Sequence, residues 1–275
     1  MAGPRFIYRH RLATRLWHWV NAVTIIVMLM SGLMIFNAHP RLYWGSYGAN
    51  TDYAWLQIGA QGERGYLRVG AVEVPTTGVL GRWTDSEGVV RNRAFPGWAT
   101  IPSSYNLALA RRWHLTFALL LGFGLLAFMI ASLINRHFRR DLVLRRDEVR
   151  PRHIWADVKA HLRLRFHDPE RPGEFNTLQK FSYVAVIFVL IPLVIGTGLT
   201  MSPGMNAAWP WLVDLFGGRQ SARSLHFIAA VLIAGFIVVH VLLVILAGPI
   251  NELRSMITGW SRVPDEPSTP KADPA

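Results

Sequence analysis

The sequence has no cysteine. That absence excludes disulfides, thiolate-held iron–sulfur clusters, cysteine-ligated zinc and haem of the c type, which is attached through thioethers. Charge is scarce and one-sided, with 17% of residues charged and only 17 Asp plus Glu against 29 Lys plus Arg. A 275-residue chain that is 51% hydrophobic and holds 11 tryptophans is too apolar for an ordinary soluble domain, so its class is membrane protein. The net charge of +12 does not point to nucleic acid, because the arginines flank apolar runs and form no separate basic domain. Anionic lipid headgroups are the expected partners of that charge. Any redox centre must use ligands other than thiolate, and ten histidines are available.

What the chain does have is four long apolar runs, at residues 17–36, 113–134, 181–201 and 225–247. Each is long enough to cross about 30 Å of hydrocarbon as a helix. The first reads as a permanent span, since its core is too long for a cleaved signal peptide and no small-x-small cleavage site follows. The third holds Pro192, Gly196 and Gly198 and no histidine, and its glycines permit close approach of a helix or a flat cofactor. Gly248 and Pro249 stop the fourth. The expected architecture is therefore all-α: an integral membrane four-helix bundle over residues 1–262, followed by a Pro-rich disordered tail at 263–275.

Residues 37–110 form a long loop between helices 1 and 2. A small hairpin is expected around YLRVGAVEV at 66–74, with turn signals at Pro75 and Gly78. Its aromatics, Tyr43, Trp44, Tyr47, Trp83 and Trp98, suit a membrane interface or a docked partner. Residues 135–180 are basic, and 154–166 could lie amphipathically in the headgroup plane. With the N-terminus inside, 19 Lys plus Arg fall on the inner side and 10 on the outer. The positive-inside rule then places both termini in the cytoplasm and the long loop in the periplasm.

The histidines carry the chemistry. His226 and His240 lie fourteen residues apart on the fourth run. On a helix that puts them within roughly 40° of one face and about 21 Å apart. On the same topology His18 lies at the inner end of span one and His240 in the inner half of span four, while His114 and His226 lie near the outer ends of spans two and four. A lone membrane histidine ordinarily bridges helices by hydrogen bonds, but four that sort into two pairs at two depths point to ligation. Bis-histidine b-type haem wants two axial nitrogens per level from facing helices. Zinc or copper would want three or four ligands at one level. Arg-x-x-His recurs as Arg15/His18, Arg111/His114 and Arg223/His226, which places a cation on the face of three of the four histidines for haem propionates; arginines also mark membrane boundaries in general. Gly32, fourteen residues after His18, should face the outer level, where a missing side chain would let the ring pass close.

The motifs RLWHW in span one, RRWH opening span two, EFNTLQK before span three and RSLHF with a second histidine fourteen on resemble the bacterial cytochrome b561 and nickel-hydrogenase cytochrome b family. Within it, HPRLYWGSYG, FPGW, HFRRDL, DLFGGRQSAR and AGPINELRSMITG are most similar to thiosulfate-reductase-type cytochrome b subunits. The resemblance runs from about Arg5 to Gly259. It implies a membrane-anchoring subunit with two haem b that moves electrons between the quinone pool and a periplasmic redox subunit, expected to be a molybdopterin oxidoreductase. It implies His18 and His240 as ligands of the cytoplasmic-side haem and His114 and His226 as ligands of the periplasmic-side haem. Asn176, in the motif Asn-x-x-Gln-Lys, would lie beside the quinone pocket, with Gln179 or Lys180 assisting proton exchange; Asn176 capping the third helix is the plainer alternative. Leu178 stands where the formate-dehydrogenase branch commonly has glycine, which bears on the pocket's shape. The resemblance places the chain in the bacterial inner membrane. Two other classes stay open at this point: a free-standing quinone-linked oxidoreductase acting on a small redox substrate, and a transporter or anchor using its histidines for protons. The loop of about seventy residues favours a docking subunit over a free-standing carrier.

Overall fold

Hydrocarbon offers a backbone no hydrogen-bond partner, so an apolar run of this length closes its bonds within a helix. In the computed structural model, which describes residues 5–135, 150–162 and 177–262, four helices do so: Leu12–Phe36, Leu107–Ile134, Thr177–Met201 and Arg219–Ala247. They contain the expected spans but begin earlier, at 12 rather than 17, 107 rather than 113, 177 rather than 181 and 219 rather than 225. The added first turns carry Arg15, Arg111, Arg112, Lys180, Arg219 and Arg223. Arg111, Arg112 and Arg219 among them are exposed, as long cations are whose stems stay on the helix while their heads reach a headgroup layer. Outer faces of the helices are apolar, with Phe123, Val238 and Leu119 at 69%, 68% and 63% exposure, while Ser31 and Thr197 are fully buried. That inversion is what lipid as solvent demands, and the chain is a multi-pass membrane protein.

The chain divides into two compact units. One comprises residues 20–127 and 185–237, the other residues 1–19, 128–184 and 238–275. In the first, helix packing centres on Leu121, Val186 and Ile191, with Ile25, Leu125 and Phe236 against them, and on Val194, Ala229 and Ile233. The third long helix carries a π-turn at Val186–Leu190 immediately before Pro192. Proline has no N–H for the Phe188 carbonyl and its ring crowds it, so an extra residue in that turn relieves the conflict.

The same unit holds a sheet, so the chain is mostly helical rather than all-α. Arg41–Leu42, Leu56–Gln61, Arg64–Val69 and Val72–Pro75 pair antiparallel in that order. Two-residue hairpins join the last three, with Gly62 and Gly70 at φ 58° and 60° in the left-handed region that tight turns require. The hairpin expected at 66–74 is thus the second half of a four-stranded sheet. Leu42, Leu56 and Ile58 bury one face against Phe36, Trp55, Phe95 and Phe227. Polar ties complete the seat. Asn37 exchanges both of its amide bonds with the Phe95 backbone at 3.1 and 2.7 Å, and Trp55 Nε1 donates to Ser224 Oγ at 3.0 Å, which itself donates to Tyr43 O at 2.6 Å.

In the second unit the first and last described segments of the chain are stitched together. Gly248, at φ 110°, ends the fourth long helix, and a further helix, Pro249–Thr258, follows it. Trp260–Arg262 then pairs antiparallel with Phe6–Tyr8. Arg9 bridges Glu252 at 3.4 Å, and Trp19 Nε1 donates to Met256 O at 3.1 Å. The expected amphipathic piece at 154–166 is represented by the helix Pro151–Leu162. Its Asp157 accepts the Thr177 N–H at 3.0 Å and so caps the third long helix. Asn176 and the tail at 263–275 lie outside the described residues.

Candidate functional site

Each of three long helices presents histidine, and each unit brings two of them together. In the second unit His18, from the first long helix, faces His240, from the fourth, with ring centres 6.3 Å apart and planes inclined at 58°. In the first unit His114, from the second long helix, faces His226, from the fourth, at 6.2 Å and 57°. These are the pairs that the sequence spacing predicts. All four rings are half-buried.

The separation can be tested against axial ligation. With metal–nitrogen bonds of about 2.0 Å and roughly 1.1 Å from nitrogen to ring centre, two imidazoles on opposite sides of one ion have centres about 6.2 Å apart. Both pairs fit that value. Direct ring stacking would bring them closer, and a direct hydrogen bond between the imidazoles needs no such separation in both pairs. Among the described residues no group of three or more His, Asp or Glu forms a metal cluster. Each pair could therefore hold one ion whose remaining ligands come from elsewhere, as a porphyrin supplies them. His18 Nδ1 is buried without a hydrogen-bond partner, and the Trp19 ring meets His18 edge-on at 5.1 Å.

The surroundings of His114 and His226 repeat one another. Ser31 Oγ lies 3.0 Å from His114 Nδ1, and Thr197 Oγ1 lies 3.1 Å from His226 Nδ1. Gly32 and Gly198, the next residues, abut the same rings: a Cβ on either would lie 3.4 Å from Cε1 and 3.7 Å from Nδ1. Gly32 does sit at the level of this pair, as its spacing predicts, but the group it makes room for in the structure is the His114 imidazole. The hydroxyls are the functional candidates that sequence reasoning missed. Their only signal was the matching Ser-Gly-Leu and Thr-Gly-Leu at 31–33 and 197–199.

The three arginines differ. Arg15 Nη1 donates to Ile257 O at 2.9 Å, and its Nε is buried without a partner. Arg223 Nη1 and Nη2 donate to Arg41 O at 2.8 Å and His39 O at 2.5 Å, and its guanidinium lies over the Phe36 ring at 5.5 Å. Arg111 is exposed. Arg15 and Arg223 thus spend part of their donor sets on backbone carbonyls instead of keeping the whole fork for an anion. Burial, then the cations Arg223 and Arg41, hold His39 below its ordinary pKa of 6.5. Lys180 is buried at 6% exposure, three residues before Tyr183 on the third long helix.

A sequence model described as prokaryotic cytochrome b561 matches residues 9–259. Two relatives named as Ni/Fe-hydrogenase B-type cytochrome subunits are similar over nearly the whole chain. That of Cupriavidus necator is 22% identical, covering 94% of this chain and 88% of its own, and that of Azotobacter vinelandii is 21% identical, covering 94% and 90%. A protein of Azospira oryzae named as a protein-methionine-sulfoxide reductase subunit is 23% identical, covering 89% and 93%. No solved structure matches.

Proposed function

Because the chain belongs to the prokaryotic cytochrome b561 family, we propose that it is a dihaem cytochrome b subunit that carries electrons between the quinone pool and a redox enzyme docked on the periplasmic face. The observation that carries this reading is the pair of histidine pairs, with ring centres 6.3 and 6.2 Å apart. Haem iron, when bound, supplies a one-electron couple. The residues do the rest. His18 with His240, and His114 with His226, would each hold a haem iron through their imidazole nitrogens, between helices whose apolar side chains would limit water around it. Arg15, Arg111 and Arg223 are the cations assigned to the propionates. For Arg223 that role would be shared with its two carbonyl bonds.

The quinone site is assigned to the segment around Asn176, whose amide can hydrogen-bond a quinone carbonyl. Gln179 or Lys180 would exchange protons with the cytoplasm. The orientation, with both termini cytoplasmic, is supported by the excess of Lys plus Arg on that side, 19 against 10. A docked enzyme is supported by the folded loop between the first two long helices, which presents Tyr47, Trp98 and Tyr53 at 89%, 78% and 74% exposure. The relatives' names admit a hydrogenase or a sulfoxide reductase as the class of partner. The molybdopterin class rests on the motifs quoted above. Pyridine haemochrome spectra of the purified chain should give two b-type haems, and co-purification from native membranes should recover a periplasmic redox enzyme. One haem per chain would refute the two-site reading.

A further inference from the structure

We propose that Ser31 and Thr197 are positioning residues for the His114/His226 pair: each hydroxyl accepts the Nδ1 proton of the imidazole beside it and thereby leaves Nε2 as the nitrogen with a free lone pair. This rests on the dihaem reading and adds to it how two of the four ligands are held in one protonation form.

The argument is a count of protons. Ser31 Oγ lies 2.7 Å from Val27 O and 3.0 Å from His114 Nδ1. Thr197 Oγ1 lies 2.6 Å from Leu193 O and 3.1 Å from His226 Nδ1. Each hydroxyl has one proton, and in each case the nearer acceptor is the carbonyl one turn back, the usual partner of a serine or threonine inside a helix. Only lone pairs then remain to meet the histidine, so the histidine nitrogen must donate. Neutral imidazole carries one N–H, and with that proton on Nδ1 the acceptor is Nε2.

A second observation is the repetition. Ser31-Gly32 on one helix and Thr197-Gly198 on another stand alike against two different histidines: the hydroxyls lie 3.0 and 3.1 Å from Nδ1, and a Cβ built on either glycine would lie 3.4 Å from Cε1 and 3.7 Å from Nδ1. Hydroxyls that served only their own backbones would have no reason to meet a histidine Nδ1 twice. Among the described residues the His18 Nδ1 has no such partner.

A hydrogen bond from the far nitrogen to an acceptor makes an imidazole more basic and favours the oxidised metal. Losing the acceptor should raise the potential of the haem held by His114 and His226 and loosen its binding. The test uses the full-length holoprotein with Ser31→Ala and Thr197→Val, the latter nearly isosteric, and with Ser31→Thr and Thr197→Ser as rescues. In redox titrations the first two should shift upward the component that His114→Ala abolishes and leave the other where it is. Retention of that haem against a competing apoprotein should fall by about 10- to 100-fold, the range for lost outer partners of a metal ligand. The rescues should restore both values. Should Ser31→Ala not fold, Ser31→Cys, close in volume and a weaker acceptor, must show the same upward shift. Unchanged potentials and retention in folded variants that lack the hydroxyl would overturn the proposal. A wild-type chain with no haem component dependent on His114 would instead overturn the dihaem reading.

Discussion

The imidazoles of His18 and His240 stand 6.3 Å apart, centre to centre, within a unit that contains neither His114 nor His226. Under the dihaem reading that partition predicts two separable sites and, with them, a substitution pattern. His18→Ala should remove one haem spectral component and His114→Ala the other, with the surviving component keeping its midpoint potential. Redox titration of each purified variant reports this. Loss of the same component in both would show the pairing to be wrong.

Arg223 holds the base of the long loop, through its bonds to the carbonyls of His39 and Arg41 and its stacking on Phe36. Hydrogen bonds to a charged group contribute about 1.5–3 kcal/mol each, so Arg223→Gln should destabilise the protein by an amount on that order. Thermal unfolding in detergent should show a clear drop in Tm, and Arg223→Lys should recover only part of it, because an ammonium lacks the planar fork. A variant with unchanged Tm but a shifted haem potential would mean that Arg223 serves a propionate in preference to the loop.

His39 gives that region a pH dependence. Its Nε2 donates to Tyr43 Oη at 3.2 Å, since Tyr43 Oη itself donates to Ala49 O at 2.8 Å, and the rings stack at 5.7 Å. Burial and the cations Arg223 and Arg41 lower the folded pKa below 6.5. The unfolded chain therefore binds the proton first as pH falls, and stability present above about pH 6.5 is lost on acidification towards the folded value. Between pH 7.5 and 5, wild-type Tm should fall more steeply than that of His39→Gln, which keeps a donor and has no titration. Parallel curves would remove His39 as the cause.

Much of this was legible in the sequence. Four apolar runs and four histidines in register gave the helices and the pairs, because helix periodicity and the cost of polar groups in hydrocarbon leave few alternatives. The helices start earlier than the apolar runs because a helix does not end where hydrophobicity does: it extends through Arg219 and Arg111. Most of the sheet escaped notice. Leu56–Gln61 is a short strand whose identity depends on pairing with Arg64–Val69, a relation that a run of six residues does not announce. Ser31 and Thr197 were invisible for a different reason: hydroxyls are common in membrane helices, and only the facing histidine gives these two a role.

Gly32 and Gly198 offer the last test, because a graded series can separate clearance from chance. A Cβ at either position would lie 3.4 Å from the Cε1 of the neighbouring imidazole, which is ordinary contact, so Gly32→Ala and Gly198→Ala should keep both haems. Leucine is another matter. Its branched end would have to enter the volume of the imidazole, and a packed interior does not yield that space without moving the ring. Gly32→Leu and Gly198→Leu should each deplete the component that depends on His114 and spare the one that depends on His18. Gly122 and Gly235 lie on the second and fourth long helices with nothing within 4 Å of a built Cβ, and they serve as controls. If leucine at 122 or 235 depleted the same component, or leucine at 32 and 198 left the haemochrome ratio unchanged, the glycines would have no special relation to the ligands. The expected pattern ties the size limit at two positions to the two imidazoles that stand beside them.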